Sequence, residues 1–170
     1  MTEPNAATQP KVALFAASFD PMTNGHLDLI HRSQQVFDEV VVAVARNVDK
    51  KGGTFSLEER LDMLNEVLGD EPRVRVETFA ELTVDFAERI GASAIIRGLR
   101  AMSDFEYEFE MALMNRHLKP SIEILFMMTS LEHLYVSSSR LKELVRFGTA
   151  IDEFVPAAVA KRLLDKLGRA

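Results

Sequence analysis

Residues 12–26 read VALFAASFDPMTNGH. The six apolar residues that open this stretch predict a buried strand, and the polar turn behind them leads directly into a helix over about residues 25–36. A helix N-terminus presents free N–H groups and the positive end of its dipole, which suits a phosphate. A neutral His26 could donate a hydrogen bond to a phosphate oxygen there, and Ser18 could add a hydroxyl. A plain turn with a solvated His26 is the alternative.

The rest of the chain continues this alternation of short apolar runs and helical patterns. Further strands are predicted at residues 40–45, 74–76, 94–96 and 122–127, and further helices at 57–68, 83–90, 138–147 and 156–167. Strands separated by helices of this length imply βαβ units and therefore a parallel five-stranded sheet in an α/β domain. In such sheets ligands bind beyond the carboxyl ends of the strands, which indicates where a site is to be sought.

Residues 104–111 are ambiguous because polar and apolar side chains alternate there, as in a strand. A helix is favoured, since Ser103 and Glu106 are spaced as a capping box and no turn residue follows before Pro120. This helix would carry apolar side chains on more than one side, which hints at a subunit interface.

The composition is that of an ordinary folded chain of 170 residues, 47% hydrophobic and 27% charged. It predicts a single domain at 11–170 behind a polar tail at 1–10. The lack of cysteine excludes disulfides, thiolate nucleophiles and cysteine-bearing zinc sites. The net charge of −6 argues against a nucleic-acid partner. The longest apolar runs are six residues, whereas a membrane span needs about 20, so no membrane partner and a cytoplasmic location are predicted.

Three other predicted strand ends also carry groups that suit a phosphate. Lys50 and Lys51 follow the second strand, either as phosphate-binding point charges or as solvated surface. The run RGLR at 97–100 follows the fourth strand, where arginines could bind phosphate bidentately and the glycine would let a ligand approach the backbone. Serines at 137–139 open a helix after the fifth strand, as phosphate ligands or as an ordinary N-cap. There is no H-E-x-x-H motif, and no protein metal site is predicted.

Together these motifs resemble a known enzyme family. T-x-G-H at 23–26 is similar to the signature of the nucleotidylyltransferase superfamily, and RGLR at 97–100, DFEYE at 104–108, MNRHL at 114–118 and VSSS at 136–139 resemble bacterial phosphopantetheine adenylyltransferases. The resemblance implies a Rossmann-like parallel five-stranded sheet with helices on both faces and assembly as a homohexamer. It also implies transfer of AMP from ATP, bound with Mg²⁺, to 4′-phosphopantetheine, giving dephospho-CoA and pyrophosphate. Coenzyme A would be a plausible feedback ligand, because it shares the pantetheine arm.

The resemblance assigns roles by position. His26 would stabilise the transition state. ATP would be contacted by Ser18, Phe19, His26, Gly98, Leu99, Arg100, Glu108, His133, Leu134, Tyr135, Val136, Ser137, Ser138 and Ser139. Phosphopantetheine would be contacted by Ser18, Lys50, Thr83 and Arg97, although Thr83 stands where the family often has an apolar residue. The alternatives are another adenylyl- or cytidylyltransferase of the superfamily, or a nucleotide sensor without catalysis.

Overall fold

The computed structural model describes residues 10–46 and 53–168, apart from the side chains of residues 102–104. Within these ranges the strands are β1 (Val12–Ala17), β2 (Glu39–Ala45), β3 (Val74–Phe79), β4 (Ala92–Leu99) and β5 (Glu123–Met128). All pairings among them are parallel, and the sheet order is β3-β2-β1-β4-β5. The predicted parallel sheet is confirmed, and β1 has the bounds that its apolar run predicts.

The described helices cover both faces of this sheet. They are α1 (Asn24–Ser33), α2 (Leu57–Leu68), α3 (Thr83–Arg89), α4 (Met102–Leu118), α5 (Ser138–Arg146) and α6 (Ala157–Leu167), with a 3₁₀ turn at Leu131–His133. Successive strand residues point to opposite faces. Phe15 of β1 therefore packs with α1, α2, α5 and α6 on one face, whereas Leu14 packs with α3 on the other. No described helix is long and apolar enough to cross a membrane.

The ambiguous segment at 104–111 is helical, as the sequence favoured. It belongs to α4, which lies on the same face as α3 because Phe105 packs edge-on against Phe126 of β5, with ring centroids 5.8 Å apart. The capping-box prediction is wrong, however. The chain leaves β4 at Leu99 and the helix begins at Met102 with Ala101 as N-cap, so Ser103 already lies inside the first turn.

Several element boundaries differ from the sequence prediction. β3 and β4 are longer than their apolar runs, because both continue to pair with a neighbouring strand through polar positions as far as Phe79 and Leu99. α1 ends at Ser33 rather than 36, because the chain then makes a turn that buries Phe37 at the start of β2. Pro156 is the N-cap of α6 rather than its first residue.

The order of the strands creates a switch point beside β1. The chain proceeds outward from β1 through β2 to β3, and then returns to the other side of β1 to form β4 and β5. The connections on the two sides of β1 therefore diverge, which leaves a crevice above the carboxyl ends of β1 and β4.

Candidate functional site

A cleft of about 350 Å³ opens at this switch point. Its walls come from the turn between β1 and α1, the end of β4, α4, and the segment that leads into α5. Most of the residues that the sequence singled out line it: Ser18, His26, Arg97, Gly98, Arg100, Glu108, His133, Val136, Ser137, Ser138 and Ser139. The expectation that separate strand ends supply one site is therefore met for β1, β4 and β5.

A reciprocal capping box at the start of α1 fixes the ring of His26. Thr23 Oγ1 accepts a hydrogen bond from the backbone N–H of His26 at 3.3 Å, and the backbone N–H of Thr23 donates to His26 Nδ1 at 3.0 Å. A backbone N–H can only donate, so Nδ1 is the acceptor and the proton of the neutral ring lies on Nε2. The turn thereby selects the tautomer in which Nδ1 accepts a hydrogen bond and Nε2 carries the N–H donor.

The surroundings of His26 keep it neutral. Burial and, next, the positive charge of Arg100 lower the pKa of His26 to about 4. Its ring packs against Phe15 and Phe19, with centroids 6.2 and 5.1 Å away. Phe19 has a φ of +45°, which is rare for a bulky residue and brings its buried ring against the imidazole. The neutral histidine expected at this helix N-terminus is therefore present in the structure.

Arg97 and Glu108 form a bidentate ion pair in the cleft wall. Arg97 Nε and Nη2 donate to the two carboxylate oxygens at 2.6 and 2.7 Å, and Nη1 donates to the carbonyl of Ala16 at 2.8 Å. The side chains are 30% and 15% exposed. The resemblance assigns these two residues to different substrates, yet here they bind each other. The three bonds use three of the five N–H donors of the guanidinium.

The neighbouring RGLR residues also shape the cleft. Arg100 Nη1 donates to the carbonyl of Val136 at 3.3 Å, which links the end of β4 to the segment before α5. A Cβ at position 98 would come within 2.5 Å of Leu29 Cδ1, so any larger residue than Gly98 would force this buried side chain of α1 to shift.

The serines before and within α5 have distinct tasks. Ser137 is the N-cap, since its Oγ accepts from the backbone N–H of Arg140 at 3.2 Å. Ser138 Oγ donates to the carbonyl of Pro21 at 2.8 Å and so ties α5 to the turn after β1. Both the capping interpretation and the position at the cleft are therefore correct for Ser137. Residues 137–139 at the N-terminus of α5 line the same cleft as Gly25 and His26 at the N-terminus of α1.

Five of the predicted residues that the structure describes do not line this cleft. Phe19 and Leu99 are buried, and Phe19 acts through its contact with His26. Tyr135 is 57% exposed and its ring contacts Phe154 instead. Thr83 begins α3, which follows the edge strand β3 in the chain and packs on the opposite face of the sheet from α1. Leu134 ends the 3₁₀ turn next to His133, and Lys50 lies outside the described residues.

The structure adds functional residues that the sequence did not single out. Thr23 is buried and holds the ring of His26, and the T-x-x-H spacing could have been recognised as a capping box with histidine in place of glutamate. Leu29 and Thr129 complete the cleft wall. Asp20 and Lys142 form an ion pair beside the cleft at 3.0 Å, which depends on how two distant segments pack.

The described ranges, 10–46 and 53–168, contain no group of three or more His, Asp or Glu side chains that could hold a metal ion. Glu108 contributes a carboxylate to the cleft wall, but both its oxygens accept from Arg97. The cleft is instead lined by donors, which suits an anionic ligand.

Comparisons with known proteins find sequences and a fold that are similar to those of this chain. A cytidylyltransferase-like family model matches residues 14–144. The chain is 52% identical over 158 residues to a phosphopantetheine adenylyltransferase of Desulfosudis oleivorans, covering 93% of this chain and 94% of the relative. It is 53% identical to that of Desulforudis audaxviator, covering 93% and 96%. A Vibrio parahaemolyticus structure assigned as a nicotinate-nucleotide adenylyltransferase has the same fold, with a TM-score of 0.63 at 18% identity over 91% of this chain and 98% of that one.

Proposed function

Because this chain belongs to the phosphopantetheine adenylyltransferases, within the cytidylyltransferase-like family, we propose that it transfers AMP from ATP to 4′-phosphopantetheine. The products are dephospho-CoA and pyrophosphate, the penultimate step of coenzyme A synthesis. The observation that carries the proposal is the neutral His26 at the N-terminus of α1, which shares one cleft with Arg97 and Arg100. A donor and two guanidinium groups suit two phosphorylated substrates.

The reaction needs no protein nucleophile. A phosphate oxygen of phosphopantetheine attacks the α-phosphorus of ATP, the new P–O bond forms, and the bond to the β-phosphate oxygen breaks with release of pyrophosphate. Negative charge is spread over the α-phosphate oxygens in the transition state. Catalysis then consists of positioning and charge stabilisation by preorganised donors.

In this mechanism His26 donates from Nε2 to an oxygen of the α-phosphate. It can do so without a change of protonation state, because its pKa of about 4 keeps the ring neutral near pH 7. Arg100, whose charge is felt at the imidazole, adds positive potential on the same side. The N-terminus of α5, with Ser138 and Ser139, would bind the β- and γ-phosphates.

The acceptor is assigned to Arg97. Its guanidinium is held by Glu108 and by the carbonyl of Ala16, so its remaining N–H donors have a fixed direction toward an incoming phosphate. Lys50 and Thr83 remain predicted contacts of phosphopantetheine. Coenzyme A, which carries the same pantetheine arm, would compete at this site.

Mg²⁺ would enter with ATP, bound chiefly by the phosphates, as is usual for this ion. The described residues offer no carboxylate cluster for the ion. The contacts proposed for His26, Arg97 and Arg100 are made directly to the phosphates. When bound, the ion supplies charge neutralisation at the phosphates.

The test is pyrophosphate release with ATP and Mg²⁺, using 4′-phosphopantetheine, nicotinate mononucleotide or no acceptor. Release with phosphopantetheine alone is expected. Release with nicotinate mononucleotide would keep the superfamily but overturn the substrate. ATP binding without pyrophosphate release from any acceptor would favour a nucleotide sensor.

We also propose that the enzyme is cytoplasmic and that it assembles as a homohexamer. The proposed assembly is supported by apolar side chains that are exposed to solvent on several sides of α4, among them Tyr107 (64% exposed), Leu113 (55%) and Met114 (56%). An exposed apolar surface of this kind marks an interface. Met114→Asp should lower the mass measured by sedimentation velocity, whereas Phe147→Asp, at the exposed end of α5, should not. An unchanged mass in the first variant would reject α4 as the interface.

A further inference from the structure

Asp20 is a charged residue beside the cleft whose role the proposed mechanism leaves open. It belongs to the turn between β1 and α1 but is not part of the described cleft wall. Its Oδ1 accepts from the backbone N–H of Phe55 at 2.9 Å, and its Oδ2 accepts from the backbone N–H of Thr54 and from Lys142 Nζ, both at 3.0 Å. The carboxylate therefore joins three segments that are distant in sequence.

The environment keeps Asp20 ionised. Burial acts to raise its pKa, but the hydrogen bonds from Thr54, Phe55 and Lys142 outweigh burial and hold the pKa of Asp20 below its usual value. The side chains of Asp20 and Lys142 are 13% and 20% exposed, so this ion pair is largely shielded from solvent. A shielded, charge-assisted bond of this kind fixes relative position better than an exposed ion pair does.

The bond to Lys142 holds the beginning of α5. Lys142 lies about one turn after Ser138, which itself donates to the carbonyl of Pro21 at 2.8 Å. Two consecutive residues of the turn, Asp20 and Pro21, thus hold two points on one helix. The N-terminus of α5 cannot move away from the turn without breaking both bonds.

The same turn also carries the support of His26. Phe19, next to Asp20 in the chain, packs on the imidazole at a centroid distance of 5.1 Å. Arg60 Nη1 of α2 donates to the carbonyl of Ser18 at 2.9 Å and fixes the start of the turn. This turn therefore contacts His26 through Phe19 and α5 through Asp20 and Pro21, and these contacts together set the distance between His26 and the N-terminus of α5.

We propose that Asp20 is a positioning residue for nucleotidyl transfer, because its carboxylate holds the N-terminus of α5 opposite His26. The α-phosphate and the two outer phosphates of ATP would then be bound by groups at a fixed spacing before ATP arrives. Asp20 touches no substrate and acts through Lys142 and the turn. The inference rests on the proposed function, since it takes ATP as the ligand of the cleft.

Two variants separate the bonds of Asp20. Lys142→Met removes only the bond to α5 and leaves the two backbone N–H groups paired. Asp20→Asn removes the charge and turns an amide NH₂ either toward the N–H of Phe55 or toward both the N–H of Thr54 and Lys142, where an acceptor is needed. Lys119→Met is the matched control, because Lys119 forms an ion pair with Glu88 of α3, on the other face of the sheet from α5, and the two side chains are 29% and 53% exposed.

The primary measurement is calorimetric titration of each variant with a non-hydrolysable ATP analogue in the absence of acceptor. Lys142→Met is expected to weaken binding of the analogue by about 10- to 100-fold, as a displaced binding group does. Steady-state assays should show KM for ATP raised and KM for phosphopantetheine unchanged. Asp20→Asn should also lower kcat, and Lys119→Met should behave as wild type.

The result that overturns the inference is wild-type affinity for the analogue in both Lys142→Met and Asp20→Asn. An equal rise of KM for both substrates would also overturn it, since that indicates general loosening of the cleft. If Asp20→Asn does not fold, Lys142→Met alone decides. Failure of the wild-type protein to bind the analogue would overturn the proposed function and this inference with it, so the two failures are distinguishable.

Discussion

His26→Gln separates the two roles of His26, which are closing the capping box of α1, as the structure shows, and donating from Nε2 to the α-phosphate, as we propose. Glutamine at the third helical position can accept the Thr23 N–H bond, as it does in ordinary capping boxes. It cannot place an N–H where Nε2 lies while it does so. We therefore expect the helix to stay capped and the catalytic donor to be lost.

The magnitudes of the two effects differ. Loss of one preorganised donor to a developing oxyanion costs about 10²–10³ in kcat. The cap bond contributes only about 1 kcal/mol to the free energy of unfolding. His26→Gln should therefore lose about 10²–10³ in kcat. Both His26→Gln and His26→Ala lose the ring contacts with Phe15 and Phe19, but only His26→Ala also loses the cap bond, so it should be less stable than His26→Gln by about 1 kcal/mol.

The assay is pyrophosphate release at saturating substrates, with urea unfolding of the same preparations. His31→Gln is the matched control, since His31 lies on α1 with a side chain 48% exposed and pairs only with Glu71 among the described residues, at 3.3 Å. Wild-type turnover in His26→Gln would refute the role of Nε2. A stability loss in His26→Gln equal to that of His26→Ala would refute the capping argument.

The remaining predictions concern pH and packing. The pKa of His26 is about 4 in the folded state and 6.5 when unfolded. The contribution of neutral His26 to the free energy of unfolding is therefore fully present above pH 6.5 and falls by up to about 3 kcal/mol as the pH drops toward 4. His26→Gln should reduce the pH dependence of stability over this range in urea unfolding, and an unchanged pH dependence would contradict the lowered pKa. Gly98→Ala should cost about 1–2 kcal/mol in thermal unfolding through its contact with buried Leu29, and the loss should shrink in a Leu29→Ala background; equal losses in both backgrounds would rule out that contact. Glu108→Gln should destabilise by about 1–3 kcal/mol by leaving Arg97 partly unpaired, and strict additivity with Arg97→Met in a double-mutant cycle would disprove their coupling.

The sheet could be predicted from the sequence because its strands are apolar runs bounded by turn residues. β1 and β2 are buried on both faces. An unbroken apolar run such as VVVAVA at 40–45 is typical of a strand buried in this way. The end of β4 could not be predicted, because Arg97 and Gly98 are poor strand formers. They are held in the strand by pairing with Phe126 and Met127 of β5.

The site was predictable in location but not in its internal bonds. The topology of a parallel sheet brings strand ends together, so His26, Arg97 and the serines at 137–139 could be assigned to one cleft. The bond between Arg97 and Glu108 depends on the placement of α4, whose alternating sequence does not indicate which side faces the sheet. The pair Asp20–Lys142 likewise joins residues 122 positions apart.

The pairing of β1 with β4 has a consequence for how the protein acquires activity. Arg97 and the Ala16 carbonyl it binds are 81 positions apart, whereas β1 and β2 are neighbours in the chain. Contacts of such high sequence separation require closure of a long loop and form slowly. We expect a fluorescent ATP analogue to bind only in the last phase of refolding, after the far-UV circular dichroism has largely recovered. Binding in the earliest phase would contradict this order. During synthesis on the ribosome, the chain would then remain inactive at least until β4 (Ala92–Leu99) has emerged.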